Sequence, residues 1–441
     1  MNKIEPFKLP ENFLMGTATS ATQIESGDRN NSWYYWTKER RTEDSTISDN
    51  TTDHYQCIDE DISLQKKLNM QTYRFSIEWS RIAPEKGALS DQALLHYKDE
   101  VEKLINAGIT PLITLHHFSN PIWIENNGAW LNPETVKYFL DYTEFVVRNL
   151  RHLVSDWCTF NEPNTYLFAG YLHGKWPPGE QYNLGAYFTG ANNFIRAHAL
   201  AYSKIHEIRK SIGFLDTKVG FALHMRIFKS KNNTPLEKLL TKYYDYWFQR
   251  FLNYGLINGM TRTLSGFRTF LGKHTRYCEY LGINYYTRDV ISFVFRPSTF
   301  FGKQEKVQHS SESDLGWEIY PKGIYTISKS LFRKYKMPIY ITENGLADES
   351  DKQRKMFIFR HLQMISKLCE KGVDVQRYYY WSLLDNFEWM EGMIPKFGLI
   401  AVDHQTKERR IRDSAFFYAD VINNKGVTQD MIEQYFTKNQ Q

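Results

Sequence analysis

Across 441 residues the chain holds only four cysteines. Cys57, Cys158, Cys278 and Cys369 lie far apart, in no CxxC or His–Cys spacing. That excludes a zinc framework and a disulfide scaffold and reads them as reduced thiols. No HExxH or clustered His/Asp spacing occurs, so no metal and no cofactor is expected. Long apolar runs are missing as well. No window approaches the roughly 20 residues of a membrane-spanning helix, and the N-terminal MNKIEPFKLPENF lacks the charged and apolar regions of a secretory signal. The expectation is a soluble cytoplasmic protein without a membrane partner. A block of one charge sign is equally absent: 55 basic and 50 acidic residues leave a net charge of +5 spread along the chain. Nucleic acid is thereby excluded as a partner, and KERR at 407–410 reads as a solvated turn.

What the chain has in abundance is aromatic side chains, 16% of all residues, including 29 Tyr, 29 Phe and 11 Trp. Most must be core, but Trp and Tyr beside polar motifs also suit a carbohydrate site, where C–H faces pack on rings. No linker, repeat or low-complexity tract divides the sequence, so residues 1–441 read as one domain, with KQEKVQHSSES (303–313) as a long surface loop. Short apolar runs recur: FLMGTAT, TYRFSI, PLITLHH, DWCTFNE, VGFALH, YLGINYY, PIYITEN and RYYYWSL. Between them lie helical periodicities, for example at 59–68, 93–108, 133–150 and 351–372. Asn132–Pro133 is a cap with a first-turn proline, and Gly108 and Gly372 stand where helices should stop. Strands buried on both faces, alternating with helices, predict a closed (β/α)8 TIM barrel.

Such a barrel places its chemistry at the C-terminal ends of the strands. Six runs end on polar or aromatic groups: Arg74; His116 and His117; Asn161 and Glu162; Asn284 and Tyr286; Glu343 and Asn344; Trp381. Glu162 and Glu343 fall on the fourth and seventh runs, whose ends face one another across a small barrel. Two opposed carboxylates are the minimum equipment for glycoside cleavage: one protonates the leaving oxygen while the other attacks the anomeric carbon or activates water.

The segments TATSATQIESG, YRFSIEWSRI, TFNEP, LGINYYT, GWEIYP, ITENG and WSLLDNFEWMEG, in that order along the chain, resemble glycoside hydrolase family one, the retaining β-glucosidases. The resemblance implies Glu162 as acid/base and Glu343 as nucleophile, supported by Arg74, Tyr286 and Asn284. It further implies Gln23, His117, Asn161, Glu388 and Trp389 on the glycone hydroxyls, Trp381 beneath the sugar ring, Phe397 beside it and Trp317 on the leaving-group side. Arg74 and Tyr286 are expected to hold Glu343 ionised, while partly apolar surroundings and the neighbouring charge raise Glu162 so that it carries a proton. Retention requires a carboxyl separation of about 5–5.5 Å. Members acting on 6-phosphorylated sugars lack the Glu388 carboxylate and carry a serine, lysine and tyrosine arrangement. Here Glu388, Pro395 and Phe397 favour unphosphorylated substrates.

Two departures stand out: LHHFSNP places Phe118 where the family has tryptophan, and the stretch from Tyr243 to Tyr280 is short, predicting a wider entrance. The expected activity is exo-hydrolysis of small-molecule β-glucosides, with β-galactosides or β-fucosides on the same pocket chemistry, through a glycosyl-enzyme intermediate; no oligomeric state is implied. The alternatives are a transglycosylating β-glycosidase and a non-catalytic carbohydrate-binding barrel.

Overall fold

The computed structural model describes residues 4–437 apart from 40, 263–265, 267, 273 and 297–298. Each of the eight apolar runs contains a strand of one closed parallel barrel. In chain order these are β1 (Leu14–Ala18), β2 (Thr72–Ser76), β3 (Thr110–His116), β4 (Asp156–Asn161), β5 (Lys218–His224), β6 (Leu281–Asn284), β7 (Ile339–Asn344) and β8 (Val375–Trp381). Consecutive strands pair in parallel, and β8 closes on β1 with Trp381 opposite Ala18.

The principal helices are α1 (His54–Lys67), α2 (Asp91–Asn106), α3 (Glu134–Leu150), α4 (Leu184–Lys210), α5 (Pro235–Asp245), α6 (Phe251–Asn258), α7 (Lys322–Tyr335), α8 (Arg354–Cys369) and α9 (Asp413–Asn424). Their periodicity explains their seating. In α3, Val136, Phe139, Thr143, Val146, Val147 and Leu150 are buried, a stripe at three- and four-residue spacing that packs inward. Asn132 caps this helix, its Oδ1 accepting from the Glu134 N–H at 2.9 Å. Gly108 and Gly372 follow α2 and α8 with φ of +80° and +72°, the left-handed conformation that ends a helix without steric cost.

Packing divides into two cores. The larger fills the space between barrel and helices. The smaller lies within the strands and includes Leu112, Cys158, Ala222, Tyr280, Tyr340 and Tyr379. Tyr280 stacks on Tyr340 at 4.0 Å, and Gly220 leaves room for the Tyr280 ring, which a Cβ would approach to 2.5 Å. A filled interior of this kind closes the barrel below the site, so the catalytic chemistry has only the C-terminal face to use.

Two expectations change. Residues Gly302–Glu305 form a strand antiparallel to Arg288–Phe293, which in turn pairs parallel with Ile227–Ser230, so the stretch from 303 begins in a small sheet rather than a loop. Within KERR, Arg409 is paired with Asp61, their side chains only 1% and 0% exposed, and is no solvated turn residue. The stretch expected to be short lies partly outside the described residues. Its described parts include the end of α5, the helical turn Tyr246–Arg250, α6 and a hairpin of Met260–Arg262 with Arg268–Phe270. Among the described residues no helix is long and apolar enough to cross a membrane.

Candidate active site

Glu343 stands near the end of β7, in register with Asn284 of β6. Arg74, fully buried on β2, directs Nη1 to Glu343 Oε1 at 2.6 Å and Nη2 to Asn161 Oδ1 at 2.7 Å. Its Nε donates to Thr114 Oγ1 at 3.1 Å, so a single guanidinium ties β2, β3, β4 and β7 together. Tyr286 donates to the other oxygen of Glu343 at 2.7 Å. Gly345 then lets the chain pass the end of β8, where a Cβ would lie 1.7 Å from the Trp381 carbonyl oxygen.

Glu162 leaves β4 with φ +42° and ψ +53°, a left-handed conformation that a residue with a side chain adopts only under external constraint. The turn ends the strand, and Pro163 starts a short helix, Pro163–Leu167, at the position where a missing N–H costs nothing. Phe118 and Trp389, with φ of +68° and +55°, share this strained geometry, so three such residues gather at one mouth of the barrel. Asn284 Nδ2 donates to Glu162 Oε1 at 2.8 Å and to Asn161 Oδ1 at 2.9 Å, while Thr165 Oγ1 donates to Glu162 Oε2 at 2.7 Å. A continuous chain, Glu162–Asn284–Asn161–Arg74–Glu343, therefore links the two carboxyls.

His224, at the end of β5, is the functional neighbour that the sequence reading missed. Arg226 donates Nε–H to His224 Nε2 at 3.0 Å, and His224 turns Nδ1 toward Glu162 Oε2 at 3.4 Å. Applying the strand-end rule to VGFALH would have found it.

The ionisation pattern corrects the sequence expectation. Burial lifts the Glu343 carboxyl to about 7, with Arg74 and Tyr286 opposing and the Glu162 charge adding to the rise. Burial also pushes Glu162 upward, but His224, Asn284 and Thr165 outweigh it and hold this carboxyl below its ordinary value. Burial in turn depresses His224. In the ligand-free site Glu343 is thus the more basic of the pair, because the hydrogen-bond donors around Glu162 were not visible in its motif.

The remaining predicted residues surround this pair. His117 and Trp381 have nearly parallel rings 5.8 Å apart, and Trp389 lies on the other stacking contact of His117 at 6.1 Å. Asn161 Nδ2 donates to His117 Nε2 at 3.0 Å, and His117 Nδ1 has no partner among the described residues. Burial and Arg74 keep His117 well below its ordinary pKa, hence neutral. Gln23 turns inward: its Nε2 donates to Asn386 Oδ1 at 2.9 Å and to the Phe387 carbonyl at 2.7 Å, and its Oε1 accepts from Ser20. It anchors the segment that carries Glu388, whose carboxyl burial raises well above the ordinary range. Trp317 and Phe397 flank Tyr286 at 5.6 and 6.2 Å.

Phe118 is buried, with Trp176 at 4.8 Å and Trp389 at 5.1 Å, so a second tryptophan from the loop after β4 packs where the smaller ring leaves space. His116 and Asn344, also noted at strand ends, serve the framework: His116 bonds Asn120 Oδ1, and Asn344 bridges the Tyr285 carbonyl and the Tyr378 hydroxyl. Among the described residues no group of three or more His, Cys, Asp or Glu could hold a metal ion.

Comparison with known proteins places this geometry. The sequence profile described as Glycosyl hydrolase family 1 matches residues 6–427. The chain is 30% identical to beta-glucosidase A of Thermotoga maritima, over 95% of this chain and 99% of that protein. It is 28% identical to a beta-galactosidase of Pyrococcus woesei, over 96% and 99%. Among solved structures, the beta-glycosidase from Pyrococcus horikoshii is 36% identical and superposes with a TM-score of 0.87, covering 98% of each chain. A match running from the first barrel strand through the last, together with the paired glutamates, leads to one conclusion: the chain belongs to glycosyl hydrolase family 1 and is an enzyme acting on O-glycosyl bonds.

Proposed function

We propose that the protein is a retaining exo-β-glycosidase for unphosphorylated β-glucosides, with β-galactosides or β-fucosides as further substrates, and that the whole chain acts as one catalytic unit inside the cell. The observation that carries this reading is the asymmetric setting of the two carboxyls. Glu343 is clamped at both oxygens, by Arg74 and by Tyr286, a fixed orientation that suits a nucleophile. Glu162 is held by the flexible hydroxyl of Thr165 and by the amide of Asn284, a setting that suits a group gaining and losing a proton.

Attack requires Glu343 ionised and Glu162 protonated. Given the ligand-free directions, that arrangement is the minor form of the singly protonated pair. A bound glycoside draws on it, because the glycosidic oxygen supplies an acceptor for the Glu162 proton as the bond to the anomeric carbon breaks. Esterification of Glu343 then removes its negative charge, which lowers Glu162 further and prepares it to take a proton from the incoming water. Asn161, beside the acid, is the group to bind the 2-hydroxyl. The unpaired Nδ1–H of buried His117 seeks a partner that a sugar hydroxyl provides.

Preference for unphosphorylated sugars is supported by the strand-eight loop. Burial makes Glu388 a weak anion, so charge repulsion alone excludes little; what the loop lacks is a cation to receive a phosphate. Lys396 directs its ammonium to the Met393 carbonyl at 2.8 Å instead. The test is Glu343→Gly with aryl β-glucosides: turnover should vanish and azide should restore it with formation of the α-glycosyl azide. Undiminished activity would remove the assignment.

A further inference from the structure

Between α7 and α8, in the helical shell around the barrel, lies an open groove of about 990 Å³ to which neither the chemistry above nor the comparisons give a role. Its floor is apolar, built from Ile319, Met356, Phe357 and Met364, and its rim carries the exposed lysines Lys322, Lys352, Lys367 and Lys371. No carboxylate lines it. The lining runs from Lys352, just before α8, to Lys371, just after it, so the groove follows that helix over its 16 residues, about 24 Å at 1.5 Å per residue.

The positive charge of this rim is uncompensated. α7 and α8 contain no aspartate or glutamate, whereas α2 and α3 pair Lys103 with Asp99 and Arg148 with Glu144 along their own surfaces. Among the described residues none of the rim lysines pairs with a carboxylate. The acids next in sequence to lining residues are engaged elsewhere: Glu312 with Lys306, Glu318 with Arg288, Asp351 with Arg354, and Glu370 as acceptor of the Ser366 hydroxyl. Two ammonium groups also converge on one phenol of the groove, Lys329 Nζ lying 3.5 Å from the Tyr325 hydroxyl and Lys371 Nζ 5.5 Å from its ring. Hydrogen bonding from Lys371, with Lys329 adding to it, lowers the Tyr325 phenol. Lysines gathered in this way repel one another, and a bound polyanion offsets that repulsion.

We infer that the groove is a docking site for an acidic amphipathic helix of a partner protein, whose apolar stripe covers the Met–Phe floor while its carboxylates meet the lysine rim. The floor decides among polyanions. Nucleic acid and polyphosphate bring charge but no apolar stripe for Met356 and Met364, and a bilayer is too flat to enter a concave groove. Methionine side chains adapt to differently shaped anchors, and the i, i+3, i+4 and i+7 side chains of a docked helix lie in one line along such a groove. At ~30 Å³ per methylene-sized group the volume holds about thirty of them, enough for four leucine-sized anchors.

The experiment follows the fluorescence anisotropy of a labelled peptide of glutamate and leucine, with leucine at the helical i, i+3, i+4, i+7 spacing, titrated with the full chain. A scrambled peptide of the same composition, inorganic polyphosphate and phosphatidylserine vesicles are titrated alongside. We expect the patterned peptide to bind at least about tenfold more tightly than the scrambled one, because only the first presents a continuous apolar stripe to the floor. Lys367→Glu with Lys371→Glu should weaken that binding by about tenfold or more, and Lys322→Glu with Lys352→Glu, at the other end of α8, should do the same independently. Turnover of 4-nitrophenyl β-glucoside should stay within about twofold in both double variants, since these lysines are exposed and lie outside the catalytic site.

Failure of the patterned peptide to bind, equal binding of the scrambled peptide, or binding that is unchanged in both double variants would overturn the docking site. Polyphosphate or vesicles that bind more tightly than the peptide, and lose that binding in the same variants, would assign the groove to a phosphate-bearing ligand and overturn it as well. The titrations need no turnover, so a failure of the glycosidase reading leaves their outcome unaffected.

Discussion

Replacing Tyr286 by phenylalanine removes a neutral hydrogen bond on Glu343 and leaves the Arg74 contact in place. The Tyr286 hydroxyl donates to Oε2 at 2.7 Å, and it favours the carboxylate over the acid. A hydrogen bond to a charged group contributes about 1.5–3 kcal/mol. At 1.36 kcal/mol per pKa unit, its loss raises the Glu343 pKa by about one to two units, the lower figure applying because Arg74 continues to hold the other oxygen. The starting value is about 7, so the variant needs a higher pH to ionise its nucleophile. Because the reactive form carries the one proton the pair shares, the alkaline limb of kcat/KM should move upward by about one unit, with a loss of roughly tenfold near pH 6 and a much smaller one near pH 9. The assay is the pH profile of kcat/KM with a 4-nitrophenyl β-glucoside, wild type against Tyr286→Phe. An alkaline limb that stays in place, or moves to lower pH, would refute the reasoning even if overall activity falls.

Three other outcomes follow from the same geometry. Glu162→Gln should lower kcat/KM by 10²-fold or more, as ~10²–10⁴ is typical of a lost general acid. The loss should be far smaller for a dinitrophenyl glucoside than for an alkyl one, since a good leaving group needs no proton; steady-state rates on the two substrates check this. Phe118→Trp should destabilise by about 1–3 kcal/mol, because the larger ring must enter a space already packed by Trp176 and Trp389, and thermal melting reads the loss. His54, buried between Asp61 and Glu100, has its pKa raised to about 10. Its raised value means that the stabilisation is complete below the unfolded value of about 6.5 and is lost as pH rises toward 10. A melting temperature that falls over this window in the wild type, and much less in His54→Gln, is the expected result.

Most of the barrel was legible in the sequence because the strands of a closed parallel sheet are buried on both faces and appear as short continuous apolar runs, each ending where polar residues begin. PIYITEN and DWCTFNE showed both the strand and the carboxylate it presents. Less legible was anything decided by neighbours from other strands. The setting of Glu162 depends on Asn284, Thr165 and His224, brought to it from β6, the following helix and β5. No local motif encodes that sum, and the expected order of the two carboxyl pKa values came out reversed. The partners of Gln23 were equally hidden: its amide nitrogen reaches Asn386, Phe387 and the Glu388 carboxyl some 360 residues further along the chain. The small sheet at Gly302–Glu305 escaped notice because a polar edge strand has none of the apolar periodicity that marks a buried one. Phe118 was visible as a departure, but its compensation by Trp176 was not, since only the fold brings those two rings together.

The central claim is that Glu343 bonds covalently to the sugar while Glu162 manages the proton. It is tested most directly by incubating the protein with a 2-deoxy-2-fluoro-β-glucosyl fluoride, which slows release of the intermediate, and sequencing the labelled peptide by mass spectrometry. One fluoroglucosyl group on Glu343 is the predicted result. An unlabelled protein that still hydrolyses β-glucosides, or a label on any other side chain, would contradict it.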